Sequence, residues 1–202
     1  MVDTDNISNM FVELLYRKEM PVLAENNAQY AEQALAIANS TATNPDWMCD
    51  TFTTMNTPYN LLEDKNFAAI FTECGAEVFK FASCFGVTSN NLRCAEGWLN
   101  IAMPGQYQEF HRHPMSHFSA VYYVQTPDKC GNIVFRNPSS ESDMFPLPTT
   151  SMAHPNFRTF YQTAKAGVLL IFRSNMAHMV MKNQSTEPRI SIAMNYVFLP
   201  DS

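Results

Sequence analysis

The chain has 202 residues, of which 46% are hydrophobic, 12% are aromatic and 16% are charged, and its formal net charge is −6. A chain of this length can close a hydrophobic core without disulfides, so we expect a single domain over residues 1–202. Lysine and arginine form no cluster, and we therefore expect no nucleic-acid partner.

Neither a membrane span nor a secretion signal is visible. The longest apolar stretch in the C-terminal half, residues 168–172, is far too short to cross a bilayer. The N-terminus carries Asp3 and Asp5 and lacks the basic and apolar regions of a signal peptide. The five cysteines form no C-x-x-C pair, which is typical of reduced thiols. We expect a cytoplasmic protein with no membrane partner.

The N-terminal part, residues 1–90, contains helical patterns. An Ala-rich segment predicts a helix over residues 22–38, and a longer apolar stripe predicts a helix over residues 61–85. Gly86 follows the second pattern, as expected at a helix end. Residues 9–16 fit either an early strand or a short helix. These helices would support the rest of the domain.

The C-terminal part, residues 97–198, has the texture of short strands separated by turns. About eight strands are predicted, at residues 98–103, 107–113, 118–125, 132–136, 157–163, 168–172, 177–182 and 189–198. The sequence thus predicts a mainly β fold with N-terminal helices, whose core is a double-stranded β-helix, or jelly-roll barrel. The long polar segment 138–155, which contains His154, is a candidate lid.

Three histidines are candidate metal ligands. His111 and His113 are two residues apart, so in a strand both imidazoles would point to one face. His178 follows a buried strand that could fold back beside them. Three imidazoles on one side of a cation leave other positions open, which favours catalysis over a structural role. One alternative is that these are ordinary surface, capping or core histidines. Another is that His117 supports a ligand, or is itself a ligand if the register of the strand differs.

Arg189 and Ser191 share a face at the start of the last apolar strand. A guanidinium directed into an apolar barrel needs an anion, and its planar shape matches a carboxylate. The partner would be a small dicarboxylate that also reaches the metal. The alternative is a surface arginine that pairs with Glu187 or with solvent.

Together these residues resemble the Fe(II)/2-oxoglutarate-dependent oxygenases, most closely a bacterial and phage group related to prolyl hydroxylases. The resemblance covers about residues 97–198. It rests on five blocks in order, at residues 98–100, 105–114, 119–123, 167–178 and 189–195. It implies Fe(II), 2-oxoglutarate and O2 as cofactor and co-substrates, and hydroxylation of a C–H bond with release of succinate and CO2. The substrate would be a small molecule or a peptide.

The resemblance also assigns roles to individual residues. His111 and His178 match the family's first and distal iron-binding histidines. Arg189 matches the arginine that binds the far carboxylate of 2-oxoglutarate, with Ser191 as a hydroxyl helper. Tyr123, the second tyrosine of a Tyr-Tyr pair, matches a residue that reaches the co-substrate in prolyl hydroxylases.

One position departs from the family pattern. Most members have a carboxylate two residues after the first histidine, where this chain has His113. Because H-x-H occupies the same positions as H-x-D, we expect three imidazole ligands. The local alternative is the carboxylate of Glu109, two residues before His111.

Two other functions remain open at this point. The first is a cupin-like dioxygenase with three histidines that does not use 2-oxoglutarate, for which Arg189 would matter less. The second is a jelly-roll binding module without catalysis, which would have no use for converging histidines.

Overall fold

The computed structural model describes residues 12–42, 49–87, 89–139, 148 and 157–199. The described N-terminal elements are two strands and three helices: β1 (Leu15–Glu19), α1 (Pro21–Ala24), α2 (Asn27–Ser40), β2 (Phe52–Thr53) and α3 (Ala68–Ala82). Eight further strands follow: β3 (Leu92–Ala102), β4 (Gln108–His111), β5 (Phe118–Gln125), β6 (Ile133–Arg136), β7 (Thr159–Gln162), β8 (Val168–Arg173), β9 (His178–Val180) and β10 (Arg189–Phe198).

The strands form two antiparallel sheets. The larger sheet has the order β1-β8-β5-β10-β3-β2, and the smaller sheet has the order β4-β9-β6-β7. The two sheets face each other, since Phe135 of the smaller sheet packs edge-on against Phe172 of the larger one. In the described part of the chain, the two facing sheets confirm the predicted mainly β, jelly-roll fold with N-terminal helices.

Strand β5 divides the core into two layers by the alternation of its side chains. Ala120 and Tyr122 face an apolar cluster that includes Ile70, Cys74 and Val78 of α3. Tyr123 faces the second cluster, between the sheets. The helices therefore cover the outer face of the larger sheet and leave its inner face to the cavity between the sheets.

The predicted helices are shorter and more divided than expected. Instead of one helix over residues 22–38, α1 and α2 are separated by a turn at Glu25 and Asn26. The predicted helix over 61–85 contains α3 but starts with two 3₁₀ turns. The side chains of Asn60 and Asp64 each accept a hydrogen bond from a backbone N–H two residues on, so each turn has its own cap.

Two strands of the larger sheet come from the N-terminal part, which the sequence predicted as helical. β1 pairs with β8, and β2 pairs with β3. The ambiguous segment 9–16 includes the first residues of β1, while residues 1–11 lie outside the described chain. Of the candidate lid, only residues 138, 139 and 148 are described, and His154 lies outside the described residues.

Gly131 allows the loop after β5 to pass close to the end of β9. Its φ angle of 91° lies in the region that favours glycine, and a Cβ there would meet the carbonyl oxygen of Met181 at 2.3 Å. This approach places β6 next to β9, which carries a candidate ligand.

No helix in the described part of the chain has the length and apolarity needed to cross a membrane.

Candidate functional site

The three candidate histidines come from two neighbouring strands of the smaller sheet. His111 ends β4 and His178 begins β9, and the two residues are register partners. His113 lies beyond the end of β4, where its backbone N–H donates to the carbonyl of Ser174 at 3.0 Å. The chain therefore leaves the strand between the two histidines of the H-x-H motif, but both rings still point to one place.

The ring nitrogens of these histidines form a compact group. One ligand atom from each of His111, His113 and His178 lies within 4.8 Å of the others. The Nε2 atoms of His113 and His178 are 3.3 Å apart. Two nitrogens bound at right angles to one ion, each about 2.1 Å from it, would lie about 3 Å apart. The spacing of this pair thus fits a shared metal ion, and the third ligand atom lies within 4.8 Å of both.

Burial keeps these imidazoles neutral. It lowers the pKa of His111 and of His178, and it lowers the pKa of His113 to about 4. Because these values lie below the ordinary 6.5, the rings are uncharged at neutral pH and keep a nitrogen lone pair. Neutral imidazole is a good ligand for iron and other transition metals.

Backbone carbonyls orient two of the rings. The Nδ1 of His111 lies 2.8 Å from the carbonyl oxygen of Glu109, and the Nδ1 of His178 lies 3.0 Å from that of Met176. A carbonyl can only accept, so each Nδ1 carries the proton and donates it. This leaves the Nε2 lone pair of both rings free for a metal.

Aromatic side chains hold the rings in place. Trp98 packs against His113 with ring centroids 5.4 Å apart, and Phe172 packs against His178 at 4.8 Å. Phe135 contacts the same His178 ring at 5.9 Å. These contacts reduce the access of water to the histidines and restrict their rotation.

A narrow cavity between the sheets connects the histidines to the candidate anion-binding residues. All three histidines line it, together with Tyr123, Arg189 and Ser191. Along β10, Arg189 and Ser191 lie at the beginning of the strand, whereas Asn195 near its end contacts His113. The cavity thus has a histidine end and an arginine end.

Arg189 is a buried charge at the arginine end. It is 4% exposed, and within the described part of the chain its Nε and Nη1 have no hydrogen-bond partner. Burial lowers its pKa, but a guanidinium stays protonated in proteins. Burial also raises the pKa of the nearby Tyr123 hydroxyl to about 12, so this group keeps its proton. An unpartnered guanidinium beside a hydroxyl fits a carboxylate ligand.

Asn100 is a cavity residue that was not among the candidate site residues. It pairs with Ser191 in the register of β3 and β10 and lines the same cavity. Its Oδ1 is buried and has no partner in the described residues. The sequence did contain a signal that could have identified Asn100, because Trp98 and Asn100 are two residues apart and share a face of one strand.

Two alternative ligands lie elsewhere. The side chain of Glu109 is exposed and does not join the group of ligand atoms, although its carbonyl binds His111. His117 is also exposed, and its Nδ1 accepts from the backbone N–H of Phe198 at 3.1 Å. Neither residue points to the cavity, so a third imidazole is the better-placed ligand.

Several solved structures share this fold. A Pseudomonas putida prolyl-4-hydroxylase matches with a TM-score of 0.65 and 11% identity, over 92% of this chain and 93% of its own. The epimerase SnoN, in complex with Fe3+, alpha ketoglutarate and nogalamycin RO, matches with a TM-score of 0.64 and 13% identity, over 92% and 79%. HygX from Streptomyces hygroscopicus, with nickel and 2-oxoglutarate bound, matches with a TM-score of 0.59 and 14% identity, over 90% and 82%.

At these identities the structural matches establish the fold alone, and no curated protein matches the sequence. The family comparison goes further. Residues 96–195 match the model of a family described as "Putative 2OG-Fe(II) oxygenase", and this range contains all six candidate site residues. Through residues 96–195, the chain therefore belongs to the 2OG-Fe(II) oxygenases, a family of enzymes that use Fe(II), 2-oxoglutarate and O2.

Proposed function

We propose that this oxygenase hydroxylates a C–H bond of a small-molecule or peptide substrate and releases succinate and CO2. Three residues would hold the iron and three would hold the far carboxylate of 2-oxoglutarate. The proposed iron ligands are His111, His113 and His178, and the proposed carboxylate ligands are Arg189, Ser191 and Tyr123.

The observation that carries the proposal is the buried guanidinium of Arg189, whose Nε and Nη1 have no hydrogen-bond partner among the described residues, in the same cavity as three neutral imidazoles. A buried charge without a partner is destabilising, so its retention needs a ligand to explain it. A metal site alone would not require it. A dicarboxylate that reaches from the arginine end to the histidine end satisfies both groups.

At the histidine end, the protein's task is to present lone pairs. The carbonyls of Glu109 and Met176 keep the Nδ1 protons of His111 and His178 in place, so both Nε2 atoms are available without loss of a proton. Ligation through three neutral side chains leaves more positive charge on the metal than ligation with a carboxylate. The anionic co-substrate would therefore be bound more tightly.

At the arginine end, the protein's task is to orient a carboxylate. The guanidinium of Arg189 offers parallel N–H donors, and the protonated hydroxyl of Tyr123 and the hydroxyl of Ser191 can donate to the same anion. Because these groups lie on neighbouring strands β5 and β10, the position of the anion is fixed by the sheet.

When bound, iron and 2-oxoglutarate would supply the activation of O2 that amino-acid side chains cannot provide. Around that centre the chain excludes water with Trp98, Phe135 and Phe172. That the segment 138–155 forms a lid stays a prediction from the sequence, because most of it lies outside the described residues. A single domain, a cytoplasmic location and the absence of a nucleic-acid partner stay predictions from the sequence.

The test combines Fe(II) and 2-oxoglutarate under anaerobic conditions. We expect the wild-type protein to develop a weak visible charge-transfer band, and to form succinate when air is admitted. Arg189→Ala should lose the band, because the co-substrate loses the ion pair that anchors it. Arg136→Ala is the matched control, since Arg136 is an exposed arginine on β6.

A wild-type protein that gives no band and no succinate would contradict the proposal. A band that persists in Arg189→Ala would leave the oxygenase intact but remove Arg189 from the co-substrate site. Iron binding without any response to 2-oxoglutarate would instead favour a dioxygenase with three histidines that does not use this co-substrate.

A further inference from the structure

His113 differs from the other two histidines in the group that its Nδ1 contacts. His111 and His178 each direct Nδ1 to a backbone carbonyl. The Nδ1 of His113 instead lies 3.3 Å from the side-chain nitrogen of Asn195. An amide nitrogen donates and does not accept, so in this arrangement Nδ1 of His113 is the acceptor and carries no proton.

Two contacts fix the orientation of the Asn195 amide. Its Nδ2 donates to the Oε2 of Glu96 at 2.7 Å, and its Oδ1 accepts from the hydroxyl of Ser119 at 2.8 Å. The side chain is buried, with 2% exposed. A carboxylate accepts only, which identifies the atom next to Glu96 as nitrogen.

We propose that Asn195 is the positioning residue of His113 and that its amide selects which ring nitrogen of His113 carries the proton. The inference rests on the proposed function, since it concerns how a ligand of the same site is prepared. Asn195 would not touch the metal or the substrate. It would act through His113 alone.

The contacts between His113 and His178 agree with this assignment of the ring protons. With Nδ1 of His113 as the acceptor, the ring proton is on Nε2, which can donate to the Nε2 of His178 across 3.3 Å. His178 can accept there because its own proton is on Nδ1. The facing ring nitrogens of His113 and His178 can therefore form a hydrogen bond with each other.

Metal binding through Nε2 of His113 requires the opposite arrangement. The Nε2 proton leaves to solvent, a proton from solvent joins Nδ1, and the ring stays neutral. The Nδ1–H group of His113 then needs an acceptor. Asn195 provides one when its side-chain amide flips, so that Oδ1 and Nδ2 exchange places. Nδ2 would then donate to Ser119, which can pass its own proton to Ser174, 2.8 Å away. Glu96 is exposed and can turn into solvent.

The test measures the protonated ring nitrogen of each histidine by ¹⁵N NMR, first metal-free and then with Zn(II) alone as a diamagnetic probe. In metal-free wild type we expect His113 to be protonated at Nε2, and His111 and His178 at Nδ1. With Zn(II), all three should be protonated at Nδ1. Asn195→Asp supplies a permanent acceptor, so its His113 should be protonated at Nδ1 even without metal.

Zinc affinity gives the second measurement. Asn195→Ala should bind Zn(II) about 10- to 100-fold more weakly than wild type, the usual cost of removing a group that orients a ligand, whereas Asn195→Asp should restore the affinity. Asn27→Ala is the matched control. Asn27 is a half-buried asparagine that accepts from the hydroxyl of Tyr122, and neither residue lines the cavity.

The inference fails if metal-free wild type has His113 protonated at Nδ1, or if Asn195→Ala binds Zn(II) as tightly as wild type. These outcomes are separate from failure of the proposed function. A wild-type protein that binds neither Zn(II) nor Fe(II) contradicts the proposed function. The metal-free spectra of wild type and Asn195→Asp would still decide whether Asn195 selects the tautomer.

Discussion

The histidine end and the arginine end of the cavity are both buried, but burial has opposite consequences for them. At the histidine end, burial lowers the pKa of three imidazoles and removes their charge. At the arginine end, burial also lowers the pKa, but the guanidinium of Arg189 keeps its charge. One end therefore offers uncharged nitrogen lone pairs, and the other offers a positive charge.

Under the proposed function, this difference would let one narrow cavity bind a cation at one end and an anion at the other. A buried histidine can lose its proton and with it its charge, so burial of the three uncharged rings without a metal costs little free energy of folding. Arginine cannot adapt in this way and depends on its ligand. The two ends should consequently respond differently to substitution, to pH and to loss of ligand.

The largest effect is expected at the histidine end from His178→Ala. Groups that only orient a ligand change metal affinity by about 10- to 100-fold, so loss of a ligand should weaken Fe(II) binding by more than about 100-fold. An anaerobic Fe(II) titration measures this. His117→Ala is the control, because His117 is exposed and lies outside the group. Equal iron affinity in wild type and His178→Ala would remove His178 from the site.

At the arginine end, Arg189→Met should separate function from stability. The loss of two charge-assisted hydrogen bonds, each about 1.5 kcal/mol, would weaken 2-oxoglutarate binding by roughly 100-fold. Without ligand, the free energy of unfolding should rise by about 1–3 kcal/mol, because an unpaired buried charge has been replaced by an apolar side chain.

Calorimetric titration and urea unfolding of the metal-loaded and metal-free protein measure the two quantities for Arg189→Met. Arg136→Met should change neither by much, since Arg136 is exposed. If Arg189→Met lowered the stability of the ligand-free protein, the guanidinium would have a structural partner and the comparison between the two ends would be wrong.

The sequence predicted the strands better than the helices. The bounds of β5 and β10 agree with the predicted ranges 118–125 and 189–198, because both are long, apolar and flanked by turn residues. The helix over 61–85 was predicted too long, since local caps at Asn60 and Asp64 compete with the helical stripe. Nothing in the periodicity of residues 15–19 revealed that they pair with β8.

The site was predicted from local spacing plus a family resemblance. The spacing of two residues predicted that Arg189 and Ser191 share a face of one strand, and both line the cavity. It could not indicate Asn195, whose contact with His113 depends on the pairing of β10 with β5 and on Glu96 in β3. Contacts of this kind join residues far apart in sequence, and a single sequence does not encode them in any local pattern.

The pH dependence of stability tests the neutral state of the histidine end. The pKa of His113 is about 4 in the folded protein and 6.5 when unperturbed, so between these values the unfolded chain binds more protons. The contribution that is linked to His113 in the metal-free protein is thus fully present above about pH 6.5 and is lost as pH falls toward about 4. His113 alone should contribute on the order of 3 kcal/mol to this loss.

Urea unfolding at about pH 7 and at about pH 4.5 measures the slope, and His113→Gln should reduce it because glutamine does not titrate. An unchanged slope in His113→Gln would mean that folding does not lower the pKa of His113, so that the ring would be charged at about pH 4.5 in the folded protein as well. In that case the histidine end would not be the uncharged partner of the arginine end.

The smallest effect is expected from the comparison of two adjacent tyrosines, Tyr122 and Tyr123, which lie on opposite faces of β5. Tyr123→Phe removes a hydroxyl at the arginine end, and the loss of one hydrogen bond of about 1 kcal/mol should weaken 2-oxoglutarate binding by about fivefold. Tyr122→Phe removes a hydroxyl that donates to Asn27 at 2.8 Å on the helix side. It should lower the free energy of unfolding by about 1 kcal/mol and leave co-substrate affinity unchanged. If both variants bound 2-oxoglutarate as wild type does, Tyr123 would be a core residue, and Arg189 would hold the carboxylate with Ser191 alone.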